Sequence, residues 1–416
     1  MRKALVVSFD LIREGEPEIP LAIASLVASL KDSPEYGTGF EVETLSINLL
    51  ACDTETAVQT AMHAVLEQRF DACDTVAVGC YVWAEAETSQ FIRQLRDAGF
   101  RNKIVLGGPQ ISYATQERLP LLYPQADIFV RGYAETALRS AILMSRPAVP
   151  VVLAEDVPFD DLPSPYLSGD LPIVRGQGRV RMETRRGCPF RCSFCAHRDL
   201  KKNKVHRHPR ERAVAEWDFL TSNKVGKVNV LDPVFNEGKD YLALMDHMAR
   251  SDFHPLVTFQ TRFELILKPE GERFLDLAGK MNAHLEFGLQ TALESEAKSV
   301  NRRNPRDAVQ RVMRMLNDER ISYEVSLIYG LPGQTPASFA QSILFLRENG
   351  CDRITAFPLM LLRGTELFEQ REQWGYKERP EGRFGIPVVY ESNWFSEDDW
   401  WMMKQMAEDL MPNERV

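Results

Sequence analysis

No run of 18 or more apolar residues occurs in this 416-residue chain, so no segment reads as a membrane-spanning helix. The opening MRKALVVSFDLIREGE turns acidic too soon for a secretory signal, and a cytoplasmic protein with no membrane partner is expected. Positive charge is not in excess. Lys and Arg number 50 against 59 Asp and Glu, a formal net charge of −9, which argues against a general nucleic-acid binder. One basic stretch, HRDLKKNKVHRHPRER (197–212), reads as a solvated or anion-facing loop. GxGxxG and GxxxxGK[ST] are both missing, so the usual nucleotide-phosphate fingerprints are absent. Cysteine is scarce. Seven, an odd number in a large chain, do not make a disulfide framework and suit a reducing compartment with a metal site.

What is present begins with alternation. KALVVSF (3–9), FEVETLSI (40–47), DTVAVGCYV (74–82), KIVLGGP (103–109) and ADIFVRGYAE (126–135) read as strands. Helical patterns over 19–31, 56–70 and the segment SQFIRQLRDAG lie between them. Repeated strand–helix alternation predicts an α/β fold with a parallel sheet covered on both faces, whose ligand crevice lies beyond the strand carboxyl ends. Candidate contact residues there are Tyr81, Trp83, Gly107, Gly108 and Gly132, the glycines because they admit close backbone approach. For a lone Gly pair, a tight turn with no ligand is the commoner explanation of Gly107-Gly108. The proline-rich stretch 146–172 then predicts an extended crossing between domains.

The most specific signal is RRGCPFRCSFCAH (185–197), with Cys188, Cys192 and Cys195 and no fourth cysteine nearby. A [4Fe–4S] cube held by three thiolates leaves one iron open, by analogy with catalytic metal sites. A molecule bearing both amine and carboxylate, such as S-adenosylmethionine, chelates such an iron. The alternative is a zinc knuckle, but His197 lies only two residues beyond Cys195, a cramped spacing for a fourth ligand.

CPFRCSFC, including Phe194 before the last cysteine, resembles the CxxxCxxC signature of the radical S-adenosylmethionine enzymes. Further along, GLQT with Gln290, the NRRN segment (301–304), YGLPGQ with Gly330, and PLMLLRGTEL resemble successive strand motifs of a subgroup with an N-terminal cobalamin-binding-type domain. CYVWAEAET, VLGGPQIS, VRGYAE and FDDLPSPYL resemble that subgroup's first domain and linker. The resemblance implies a Rossmann-like doubly wound domain (1–145), a linker (146–180), a partial (β/α)6 TIM-type barrel (181–370) and a C-terminal extension (371–416) with a short helical tail. Six strands, from METRRGC to CDRITAFPLMLLRGT, end in polar or Gly-rich residues, where barrel chemistry sits.

The same resemblance implies a [4Fe–4S] cluster on the three cysteines, S-adenosylmethionine, cobalamin, a small-molecule substrate and an external electron donor such as flavodoxin or ferredoxin. Asp232 and Asn236, standing where a GGE-like motif is common, are candidates to hold the methionine amino group. Gln260 and Arg262 alternate on one face, where Arg262 grips a carboxylate or forms a structural ion pair. Glu324 and Ser326 are candidates for ribose contact. The cobalt-ligating DxHxxG motif is absent, since residues 8–16 read SFDLIREGE. The expected activity is cobalamin-dependent methyl transfer. Transfer of the 3-amino-3-carboxypropyl group, for example to arsenite as in arsinothricin biosynthesis, and a non-catalytic cobalamin- or redox-responsive binding protein are the alternatives. SEDDWWMMKQMAEDLM predicts a C-terminal helix packed through its Trp and Met stripe, and Cys52, Cys73, Cys80 and Cys351 read as small buried apolar residues or ligands to a thiophilic substrate.

Overall fold

Runs of three to nine residues, too short for helices and rich in Val and Ile, become the strands of two sheets. The computed structural model describes residues 1–66, 73–197 and 204–410. Residues 67–70 of the expected helix 56–70, 198–203 of the basic stretch and the end of the C-terminal helix pattern lie outside the described residues. The chain divides into two units, Met1–Val180 and Arg181–Val416.

The first unit runs β1 (Arg2–Asp10), α1 (Leu21–Lys31), β2 (Phe40–Asn48), α2 (Thr54–Leu66), β3 (Cys73–Gly79), α3 (Glu85–Asp97), β4 (Lys103–Gly107), α4 (Pro109–Ser112), α5 (Leu119–Leu122), β5 (Ile128–Val130), α6 (Glu135–Leu143) and β6 (Val151–Leu153). The order is β2-β1-β3-β4-β5-β6 and every adjacent pair is parallel. β1 is buried from Ala4 to Asp10, as a central strand covered on both faces must be. On one face Ile23, Val27 and Leu30 of α1 and Ala137, Leu138 and Ile142 of α6 share a core with Val6, Val42, Val105 and Ile128. Each buried Val, Leu or Ile there contributes roughly 1.5–3 kcal/mol. Strand order reverses between β1 and β3, which puts a topological switch point beside the residues that follow Gly79. The proline-rich stretch is not purely a crossing, because Val151–Leu153 adds an edge strand parallel to β5.

The second unit contains β7 (Arg179–Met182), β8 (Arg185–Arg186), β9 (His206–Arg207), α7 (Arg210–Ser222), β10 (Lys227–Val230), α8 (Tyr241–Met248), β11 (Leu256–Thr261), α9 (Phe263–Ile266), α10 (Gly271–Gly279), β12 (Ala283–Gln290), α11 (Glu294–Ser299), α12 (Arg306–Asp318), β13 (Ser322–Tyr329), α13 (Pro336–Glu348) and β14 (Ile354–Pro358). Its open sheet has the order β14-β13-β12-β11-β10-β7, and the four pairs from β10 to β14 are parallel. This six-stranded open sheet is the partial-barrel pattern expected. The first strand comes earlier than METRRGC suggested, since β7 ends at Met182 and the residues before Cys188 leave the sheet. β13 shows why the strands were legible: Tyr323, Val325, Leu327 and Tyr329 are buried, while Glu324, Ser326 and Ile328 on the other face are half-buried.

After β14 come α14 (Glu366–Glu369) and then, in the expected C-terminal extension, an antiparallel hairpin of β15 (Lys377–Glu381) and β16 (Ile386–Glu391), and α15 (Glu397–Glu408). The hairpin goes beyond the helical tail expected. Ser396 caps α15 in a capping box with Asp399, and Trp400 is fully buried with its ring 5.9 Å from Tyr329.

One buried charge organises the end of α6. Lys103 Nζ donates to the carbonyls of Ala141, Ile142 and Met144 at 2.8, 2.6 and 2.6 Å. Arg2 Nη1 joins it at Ile142 O, 2.9 Å away. These carbonyls have no partner inside the helix. Burial pulls the Lys103 ammonium from 10.5 down to about 8. Lys103→Met is expected to lower the unfolding free energy by about 1–3 kcal/mol. Urea titration of the full chain checks this, and an unchanged midpoint would contradict the capping role.

Candidate active site

The three cysteines lie on a loop with no regular structure after Arg186, so its shape is fixed by contacts borrowed from elsewhere. Upstream, Asp232 at the end of β10 is fully buried and accepts from Thr184 N at 2.8 Å, Arg185 N at 3.1 Å and Thr184 Oγ1. Its other neighbour is the buried Arg185 guanidinium, 3.3 Å away. Burial pushes the Asp232 carboxyl up, and Arg185 and the Thr184 donors oppose that rise. Within the loop, Cys195 N donates to Cys192 O at 3.1 Å and Ser193 N to Val300 O at 3.0 Å. Leu367 N donates to Ser193 O at 3.0 Å, and Asn301 Nδ2 to Arg191 O at 2.7 Å.

The thiols sense one another. Burial pushes Cys195 up to about 11, and Cys192 and Cys188 push in the same direction. Burial raises Cys188 too, opposed by Arg262 and Arg302. All seven cysteines are free thiols. Among the described residues no group of three His, Cys, Asp or Glu side chains converges on a single ion. A cube takes one thiolate on each of three irons, so its ligands stand further apart than those of a mononuclear ion. Three soft donors, two of them buried at 9% and 8% exposure, suit such a cluster. Phe194 is half-buried between Ser193 and Cys195.

Around the loop the strand-end residues take different positions. Asn236 exchanges two hydrogen bonds of 3.2 Å with the main chain of Arg262, so its amide extends the β10 end along β11. Both oxygens of Asp232 and both ends of Asn236 are thus engaged within the protein. Arg262 follows β11 in extended conformation, pairs with Glu264 and stacks on Phe190 with its guanidinium 3.6 Å from the ring centre. Gln260 is exposed and in register with Glu286 and Glu324. His284, 3.5 Å from Glu324, holds that carboxyl below its usual range. Ser326 is in register with Gly288 and Thr355 and half-buried. Gln290 closes β12 at a positive φ of 72°, beside a register shift.

Gly330 has φ 95°, in the left-handed region a β-branched residue avoids, and its N–H donates to Gln334 Oε1 at 2.7 Å. Gln334 is fully buried and also binds Leu331 N and Ile328 O, so it stitches the YGLPGQ turn shut. Residues not singled out from sequence join the site here. Arg302 reaches Cys192 Sγ at 3.7 Å, and Asn304 Nδ2 donates to Leu289 O at 2.7 Å. Arg302 Nε, Asn304 Oδ1 and Glu264 Oε2 are buried with no hydrogen-bond partner. Two orphan acceptors and an orphan cationic donor suit an amino-acid ammonium and carboxylate. NRRN was visible as a segment, but nothing in one sequence tells which arginine turns inward.

The first unit has its own candidate residues at the strand carboxyl ends. Tyr81 and Trp83 stack with centroids 4.6 Å apart, and Trp83 Nε1 is buried without a partner. Gly108, at φ 90°, would place a Cβ 2.8 Å from Cys80 O, so its missing side chain serves loop-to-loop packing. Gly107 has only Val130 nearby at 3.8 Å, and Gly132 has nothing within 4 Å. The single histidine of this unit, His63, is exposed on α2, so no imidazole stands on these loops.

The Radical SAM superfamily profile matches residues 182–346. Residues 182–346, which hold the three cysteines, form a radical SAM domain. Two curated relatives are each 25% identical. The cobalamin-dependent radical SAM methyltransferase TokK of Streptomyces tokunonensis aligns over 374 residues, 79% of this chain and 55% of that protein. The 2-(S-pantetheinyl)-carbapenam-3-carboxylate methyltransferase of Streptantibioticus cattleyicolor aligns over 382 residues, again 79% and 55%. This chain therefore spans about half the length of the curated relatives it matches. Among solved structures, the radical SAM methyltransferase TsrM of Kitasatospora setae, with tryptophan and a SAM analogue bound, shares the fold. Its TM-score is 0.71 at 17% identity, covering 99% of this chain and 90% of that one. TsrM has also been solved with cobalamin and a [4Fe-4S] cluster bound.

Within the radical SAM domain, Asp232 is the strut of the cysteine loop. Asp232→Ala leaves Arg185 buried beside an empty position, and a loss of about 3 kcal/mol in urea unfolding is expected. Iron content after anaerobic reconstitution should fall with it. Retention of both would show that the loop is held without the carboxylate.

Proposed function

We propose that the chain is a radical SAM enzyme that transfers a methyl group to a small molecule, with cobalamin as methyl carrier. The observation that carries this reading is the set of three mutually interacting thiols on one loop, with no fourth cysteine beside them among the described residues. When bound, the cluster supplies an electron to the S-adenosylmethionine sulfonium, and cobalamin supplies a site for the methyl group. The chain's own residues do the rest. Cys188, Cys192 and Cys195 hold the cluster, and Asp232 and Val300 fix their loop. Asn304 Oδ1 and Glu264 Oε2 accept from the methionine ammonium. Glu324, Ser326 and Gln260 line the inward face along the sugar, and the Gln334-clamped turn at Gly330 sits beside the adenine. In the first unit Tyr81, Trp83, Gly107 and Gly132 flank the corrin. The name of TokK supports the methyl-carrier assignment, and that of the carbapenam methyltransferase supports methyl transfer to a small molecule. Reduction calls for an external one-electron donor of flavodoxin or ferredoxin type.

The test is anaerobic turnover with S-adenosylmethionine labelled separately in its methyl and carboxypropyl groups. Methyl label in a small-molecule product is expected. Label leaving with the carboxypropyl group would replace the proposal by the second sequence-based reading. Replacing any one of the three cysteines by Ala should abolish cluster absorbance and S-adenosylmethionine cleavage together, whereas Cys351→Ala should leave the cluster intact. Gly107→Trp, at ordinary φ and with only Val130 in van der Waals range, should abolish retention of hydroxocobalamin through gel filtration.

A further inference from the structure

Two buried guanidiniums converge on one of the three sulfurs. Arg302 Nη1 lies 3.7 Å and Arg262 Nη1 4.0 Å from Cys192 Sγ, both within hydrogen-bond reach of sulfur. The two residues are 9% and 4% exposed. They come from different elements, one from the segment before α12 and one from the end of β11, yet meet at the same atom. Arg262 is partly neutralised by Glu264 and is held flat against Phe190. Arg302 is different. Among the described residues no carboxylate pairs with it; its Nη2 binds only the Gly288 carbonyl, and its Nε is orphaned. A buried cation without an anion costs several kcal/mol.

We infer that Arg262 and Arg302 are positioning residues that set the reduction potential of the cluster by donating to the Cys192 thiolate. This rests on the cluster assignment above. A cluster on three thiolates is anionic and gains one more negative charge when it accepts an electron from the external donor. Two fixed cations at one ligand stabilise the reduced form more than the oxidised form, so they make that electron easier to deliver. Cys192 is the suitable place. It is the middle ligand, and its loop is pinned on both sides by Val300 and Leu367.

The experiment is an electron-spin-monitored redox titration of the anaerobically reconstituted full chain, without S-adenosylmethionine, with iron content measured in parallel. Arg302→Gln should lower the equilibrium constant for one-electron reduction by roughly tenfold, about 59 mV more negative. Arg262→Gln should shift it in the same direction by less, because Glu264 already offsets part of that charge. Arg302→Lys, which keeps the charge, should restore the wild-type potential; a purely packing role for Arg302 would leave Lys no better than Gln. If Arg302→Gln loses its iron, Arg262→Gln and Arg302→Lys decide the question. Full iron content with wild-type potentials in both Gln variants overturns the inference while leaving the enzyme assignment standing. A wild type that assembles no [4Fe–4S] cluster overturns both.

Discussion

A loop that has no ladder of its own must hold three sulfurs at fixed separations, and the buried Asp232 carboxylate makes that possible. It gathers two main-chain N–H groups and one hydroxyl from Thr184 and Arg185, and holds the Arg185 guanidinium against them. Each of these groups is costly to bury alone. Together they fix the chain where it leaves β7, three residues before the first cysteine. The far side is fixed differently, by the main chain of Ser193, whose N–H donates to Val300 O and whose carbonyl accepts from Leu367 N. The loop is thus suspended between a charged anchor and two neutral ones, and everything assigned to the thiols depends on that suspension.

Much of the fold was legible because buried strands in parallel sheets announce themselves. β1 and β3 read as continuous apolar runs, and β13 as alternation, for the same reason: burial on two faces or on one. Elements stabilised mainly by their partners were less visible. Val151–Leu153 is three residues among prolines, and only the edge of β5 makes it a strand. The β15–β16 hairpin carries Lys377, Glu378, Arg379 and two prolines, a composition with little strand propensity. METRRGC was read as a strand from its apolar start, but Asp232 pulls Thr184 and Arg185 out of the sheet.

The site was legible where spacing carries chemistry and illegible where it depends on tertiary direction. Three cysteines at 188, 192 and 195 need no structure to be noticed. Arg302 and Asn304 sit in the run NRRN, where Asn301 takes a positive φ that no sequence pattern shows, and nothing in the run marks Arg302 rather than Arg303 as the arginine that reaches Cys192. Gly107 and Gly108 look equivalent in sequence. In the fold a Cβ on Gly107 would meet only Val130 at an ordinary 3.8 Å, while one on Gly108 would run into the backbone of Cys80 at 2.8 Å, so the two are not equivalent.

The first sheet has one further property, and it lies at its margins. β2, at one edge, turns Glu41 and Glu43 outward to solvent, and β6, at the other, is three residues long and enters directly after Pro150. A long uncharged edge offers its free N–H and C=O groups to any passing strand. Here one margin repels by charge and the other is too short and too proline-bound to be copied. The sheet can therefore keep apolar, aromatic loops such as Tyr81–Trp83 open for a ligand without its borders recruiting a second chain into a growing β-structure.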